Sequence, residues 1–128
     1  MRTGRDVWER AMRLLNYTDG GGRLDGAQYA ELFKRALPLV NQIYGDLWFC
    51  ERDDTFCELA ALEQPLRLSQ RCLHDVAPYG VAMLLAQTES DGDSQQLMAA
   101  LYNQKRSSMQ RAVCRRDVLP VGGDGGWL

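Results

Sequence analysis

The chain has a single histidine, His74, and four cysteines, Cys50, Cys57, Cys72 and Cys114, no two of which stand close together. A zinc knuckle or a dithiol redox motif needs a cysteine pair two residues apart, so neither is expected. No apolar run approaches the roughly 20 residues that cross a bilayer. The N-terminal stretch Met1–Arg13 is charged and has no apolar core of the kind a signal peptide carries. Free, mostly buried thiols in a reducing cytoplasm are the expectation. Net charge is also scarce: −2 over 128 residues. A general nucleic-acid binder is usually more basic.

Catalytic patterns are missing too. A nucleophile needs a base beside it, and His74 has no evident partner. Asp75 is its neighbour, but adjacent helical residues do not face each other. Carboxylates come in pairs at Asp53-Asp54 and at Asp91 and Asp93, yet these sit at turns, without the apolar setting that raises a pKa. Glu89, Asp91 and Asp93 lack the spacing and terminal Glu of a calcium loop. Gly20-Gly21-Gly22 has no Gly-Lys-Ser/Thr after it and no strand before it, so it is not a phosphate cradle. The expectation is a chain that is not an enzyme, with no cofactor and no metal.

What is present is helical periodicity. The apolar fraction of 45% and charged fraction of 25% are ordinary for a globular protein. The length suits one domain with one modest core. Thr3 with Asp6 forms a weak N-cap signal, and Val7, Trp8, Ala11, Leu14 and Leu15 follow at helical spacing. A first helix is predicted over about residues 4–16, ending at the glycines. Asp25 caps a second, whose stripe runs from Tyr29 through Leu32, Phe33, Ala36, Val40, Ile43 and Tyr44 to Leu47 and Trp48. Pro38 falls inside it and predicts a kink near Leu37. Residues 51–68 read as an irregular excursion with a short β-like piece, and long excursions in compact domains are often functional.

Ser69 caps a third helix. Pro78 either kinks it or begins a fresh one. Tyr79 to Gln87 is apolar nearly all round, which implies burial on several sides, some of them against another copy. Ala77, Gly80, Ala82 and Ala86 permit close helix approach. The turn Ser90-Asp91-Gly92-Asp93, with Asp93 or Ser94 as cap, returns the chain into a fourth helix bearing Leu97, Met98, Leu101, Tyr102, Met109, Ala112 and Val113. The predicted architecture is all-α: a small bundle of about four helices around a central antiparallel hairpin over residues 73–113. Residues 1–117 form the domain, and 118–128, glycine-rich and ending in Trp127-Leu128, form a flexible tail.

Charge is unevenly placed. Residues 46–63 hold six acids (Asp46, Glu51, Asp53, Asp54, Glu58, Glu63) against Arg52, whereas residues 105–116 hold five bases (Lys105, Arg106, Arg111, Arg115, Arg116) and no acid. Such a split either steers one copy onto another or, the commoner case, makes two solvated faces.

The stretch Ala36–Trp48 (ALPLVNQIYGDLW), an irregular link, and then Asp75–Arg106 (DVAPYGVAMLLAQTESDGDSQQLMAALYNQKR) together resemble the small head-tail connector, or adaptor, proteins of tailed bacteriophages and prophages. Most telling are Pro78-Tyr79-Gly80 with Ala82, Leu84, Leu85 and Ala86, then the acidic turn and Tyr102-Asn103. The resemblance covers residues 29–106. It implies a helical protomer that assembles into a ring between portal and tail-completion proteins, with DNA passing through the lumen unread, in the virion and, during assembly, in the bacterial cytoplasm. No cofactor or membrane is implied. Residues assigned to assembly are Asp53, Asp54, Arg111, Arg115, Arg116 and Trp127. The alternative is a DNA-packaging or regulatory protein that sets its basic fourth helix on phosphates. A hydrolase built around His74 ranks last.

Overall fold

The computed structural model describes residues 3–17, 27–52 and 54–117, the side chains of 27, 28 and 110–117 excepted. Among the described residues the chain is all-helical, with an isolated β-bridge from Thr3 to Pro65 as its only extended pairing. None of its helices is long and apolar enough to cross a membrane. The glycine loop at residues 20–22 and the tail from residue 118 lie outside the described residues.

α1 spans Gly4–Leu14. The Thr3 hydroxyl accepts from the Asp6 N–H (3.2 Å) while the Asp6 carboxylate accepts from the Thr3 N–H (3.1 Å). This reciprocal cap satisfies donors that a helix start leaves open. At the other end Asn16 adopts a left-handed backbone (φ 61°). That conformation lets Tyr17 N–H reach the Met12 carbonyl (2.9 Å) and Asn16 N–H reach that of Arg13 (3.0 Å).

The second and third predicted helices each resolve into two segments, and a proline accounts for both divisions. α2 is Ala27–Phe33 and α3 is Ala36–Glu51. Pro38 has no N–H for the Lys34 carbonyl, and its ring crowds that carbonyl. The chain therefore turns at Lys34-Arg35 instead of kinking near Leu37, and Pro38 sits in the first turn of α3, where no donor is missed. α4, Gln70–Asp75, begins at Ser69, whose hydroxyl accepts from the Cys72 N–H (3.2 Å). α5, Ala77–Thr88, starts afresh with Pro78 in its first turn.

α6 runs Gly92–Asp117. Its cap is Asp91, two residues before the predicted Asp93 and three before Ser94: the Asp91 carboxylate accepts from the Ser94 N–H (3.4 Å). The turn before it repeats the α1 ending. Ser90 is left-handed (φ 56°), Asp91 N–H reaches the Ala86 carbonyl (2.9 Å) and Ser90 N–H reaches that of Gln87 (3.2 Å). The two endings are tied together, because the Tyr17 hydroxyl donates to the Asp91 carboxylate at 3.0 Å.

α5 is the middle of the bundle. It packs against α1, α3, α4 and α6. Its apolar circumference thus faces its own chain, and Val81, Ala82, Leu85 and Ala86 are fully buried without another copy. Gly80 makes the closest approach: a Cβ there would lie 2.7 Å from Tyr102 Cε1 and 2.9 Å from Ile43 Cδ1. α3, α5 and α6 therefore meet at a point where only hydrogen fits. Trp8 and Met12 of α1 and Leu47 and Trp48 of α3 fill the core around them.

Candidate assembly surface

Among the described residues, 52 and 54–69 have no helix or ladder of their own, so most of their backbone groups need partners elsewhere. One face of α3 supplies them. Asn41 spans Leu59, its amide donating to the Leu59 carbonyl (3.0 Å) and its oxygen accepting from the Leu59 N–H (2.8 Å). The Tyr44 hydroxyl accepts from the Arg67 N–H (3.0 Å), and Trp48 Nε1 donates to the Asp54 carbonyl (2.9 Å). Glu51 accepts from the Ser69 N–H (2.8 Å) and hydroxyl (2.7 Å), and Arg52 donates to the Arg67 carbonyl (3.1 Å). Steps of three, four and three residues put Asn41, Tyr44, Trp48 and Glu51 on one side of the helix, and Arg52 follows as its C-cap.

The far edge of the excursion closes on α1. The carbonyls of Leu62 and Gln64 accept from Arg5 N–H (2.9 Å) and Gly4 N–H (3.3 Å). Leu59, Leu62 and Leu66 are buried in the common core. The excursion is thus held by its own chain from both α3 and α1. Asp54, Thr55, Cys57 and Glu58 are among the exposed residues it turns outward, as are Glu63 and Arg67.

Phe56 anchors that outward stretch. Its ring meets Tyr44 edge-on (5.1 Å between centroids) and lies 5.9 Å from Trp48 and 6.2 Å from Phe49. Gly45 leaves it room, since a Cβ there would stand 3.2 Å from the ring. The Arg52 guanidinium covers Trp48 at 4.7 Å. Phe49, by contrast, is 67% exposed. The surface therefore shows one open aromatic ring backed by three packed ones.

Beside Phe49 the α3–α6 seam is polar. Asp46 accepts from the buried Tyr102 hydroxyl and, at 3.5 Å, from Arg106, which also lies 3.7 Å from the Cys50 sulfur. Burial, then the Asp46 carboxylate, push the Tyr102 phenol well above its ordinary pKa. Farther down α6, the Lys105 ammonium sits 4.7 Å over the Tyr79 ring. Two of the five bases thus have partners within the chain. Among the acids, Asp46 and Glu51 do as well, and Glu63 pairs with Arg5 (3.5 Å).

Of the six residues assigned to assembly, Asp54 is the one whose side chain is described. It is exposed, 3.5 Å from Arg52 Nε. Arg111, Arg115 and Arg116 lie on the α6 backbone with their side chains outside the described residues, as are Asp53 and Trp127 altogether. The sequence reading missed Phe49. It was legible as the large aromatic that falls off the α3 apolar stripe.

His74 departs from expectation. Its Nδ1 lies 3.0 Å from the Asp75 carboxylate, and both side chains are about half exposed. They meet because α4 ends at Asp75, freeing the pair from regular helical directions. The contact with His74 holds the Asp75 carboxyl below its usual pKa. Among the described residues no group of three or more His, Cys, Asp or Glu side chains is placed to hold a metal ion. No known family, curated protein or solved structure matches the chain.

Proposed function

We propose that this protein is a structural subunit of a tailed-phage or prophage particle, a head-tail connector that assembles into a ring between portal and tail. What supports the reading is the role of the residues that carry the resemblance. Pro78 opens α5, Gly80 takes the edge of Tyr102, and Ala82 and Ala86 are buried along the same helix. They are packing residues at the centre of a rigid helical unit. Ring subunits need such a unit to present fixed surfaces to two neighbours at once.

The nucleic-acid reading loses part of its basis. Lys105 is stacked on Tyr79 and Arg106 is committed to Asp46, so two of the five bases it relied on already have partners within the chain.

The test is reconstitution with the portal protein from the same genome, followed by electron microscopy. The expected result is a ring of additional density on the tail-facing side of the portal. Portal particles that stay bare at saturating protein, while the protein retards duplex DNA with a steep salt dependence, would favour the alternative.

A further inference from the structure

Between Leu66 and Thr88 the chain has one acid, Asp75, and between Ser94 and Arg116 it has none. That acid sits at the end of α4, half exposed. Arg71 and His74, one turn apart on the same helix, are exposed beside it. His74 Nδ1 is 3.0 Å from its carboxylate, and the charges of Lys105 on α6 and of Arg71 reach it as well. Arg10 arrives from α1 and donates its Nε to the His74 carbonyl at 3.0 Å.

Two guanidinium groups, an ammonium and an imidazole thus stand around a single carboxylate. The nearby acids are occupied elsewhere: Glu9 accepts from the Tyr29 hydroxyl (3.3 Å), Glu51 from Ser69, and Asp46 from Tyr102 and Arg106. The patch keeps an excess of positive charge at the surface. We infer that it takes the phosphodiester backbone of duplex DNA.

The form of the patch favours that partner over other anions. Its groups come from three helices and lie open at the surface, which suits a run of phosphates better than one enclosed ion. Tyr79, the ring beside it, is covered by Lys105 at 4.7 Å, so bases have nothing to stack on and a single strand gains nothing over a duplex. Lys105 acts from that seat by its charge; Arg71 and His74 are the contacting groups. In a ring this would be the face turned toward the DNA, but the contact itself needs no ring and does not rest on the connector reading.

The experiment follows the anisotropy of a labelled, mixed-sequence duplex titrated with the full-length protein over a range of salt. Expected is binding whose log K falls linearly with log salt. Arg71→Ala should lower that slope by about one. Arg71→Glu should weaken binding several-fold more. Asp75→Asn should tighten it several-fold, whereas Asp93→Asn, at the far end of the hairpin, should not. Arg71 is exposed and Asp75 half exposed, and unchanged thermal melting checks that the variants fold. Arg111→Glu, Arg115→Glu and Arg116→Glu together should leave the Arg71 and Asp75 effects in place.

Failure to bind at low salt overturns the proposal. So does binding indifferent to Arg71→Glu, or tightened as much by Asp93→Asn as by Asp75→Asn. Stronger displacement of the labelled duplex by poly-glutamate or by phosphatidylglycerol vesicles than by unlabelled duplex also overturns it, and makes the patch a site for acidic protein or for an anionic membrane. Rings on the portal from a protein with no DNA affinity leave the connector reading standing and strike this contact. DNA held through Arg71 by a protein that leaves the portal bare does the reverse.

Discussion

The α5–α6 hairpin and the excursion between α3 and α4 are held by opposite means. At the hairpin, Gly80 lets α5 and α6 approach until side chains touch, and backbone groups satisfy one another within each helix. In the excursion few described backbone groups pair within the segment, as Gln64 N–H does with the Ala61 carbonyl (3.2 Å). Asn41, Tyr44, Trp48 and Glu51 lend polar groups from α3, Arg52 at its C-cap adds another, and the first turn of α1 lends two more N–H groups. A regular element contributes packing; an irregular one needs a template. The loss of one template residue and the loss of one void of helix contact should therefore leave different marks.

The largest effect is expected at the template. Asn41→Ala leaves the buried Leu59 N–H and carbonyl without partners, a cost of about 3 kcal/mol. Amide exchange should quicken through residues 55–68 before it does in α5. Equal loss of protection in both regions would show that they are not separable. Gly80→Ala should cost about 2 kcal/mol by overpacking. Its effect should spread over α3, α5 and α6 together, and Ile43→Val in the same chain should recover part of it by moving back one of the two crowding atoms. Independent, additive effects would mean the crowding is relieved elsewhere.

Alkaline pH probes the packed side of the comparison. Burial pushes the Cys72 thiol up to about 12, and burial with the Asp91 contact pushes the Tyr17 phenol up to about 12. Folding thus favours their protonated forms. The stabilisation is complete below the ordinary values of 9.0 and 10.0 and is lost as pH rises toward 12. Urea midpoints should fall steadily from pH 9 to 12, and Tyr102→Phe should flatten the upper part of that fall. A flat profile in the parent protein would remove burial as the cause. The smallest effect is at the turn: Ser90→Gly should stabilise by about 0.5 kcal/mol, because glycine accepts the left-handed backbone that serine holds at a cost. Thermal melting checks its sign.

The helices were legible because their signals are local. Thr3 with Asp6, Ser69 before Gln70, and the apolar spacing from Val40 to Trp48 each declare themselves within a turn or two. Pro38 was misread as a kink because a proline's effect depends on where the helix begins, and nothing before Ala36 marked that start. The excursion was legible only as irregular. Asn41 reads as an ordinary polar-face residue until Leu59 is placed beside it, eighteen residues on. Longer separations, 56 and 60 residues, hid the seam of Asp46 with Tyr102 and Arg106. His74 and Asp75 were set apart by a rule for helix interiors, whereas the helix stops there.

The notch at Gly80 also fixes alignment. Sliding α6 one turn along α5 would bring Met98 or Arg106 where the Tyr102 ring now sits. The first would exchange a flat ring for a flexible thioether chain, and the second would press a guanidinium into the core, away from its carboxylate. Hairpins of smooth aliphatic helices tolerate several such offsets. This one is keyed, so the distance from its turn to the far end of α6 is set by a single missing methyl group.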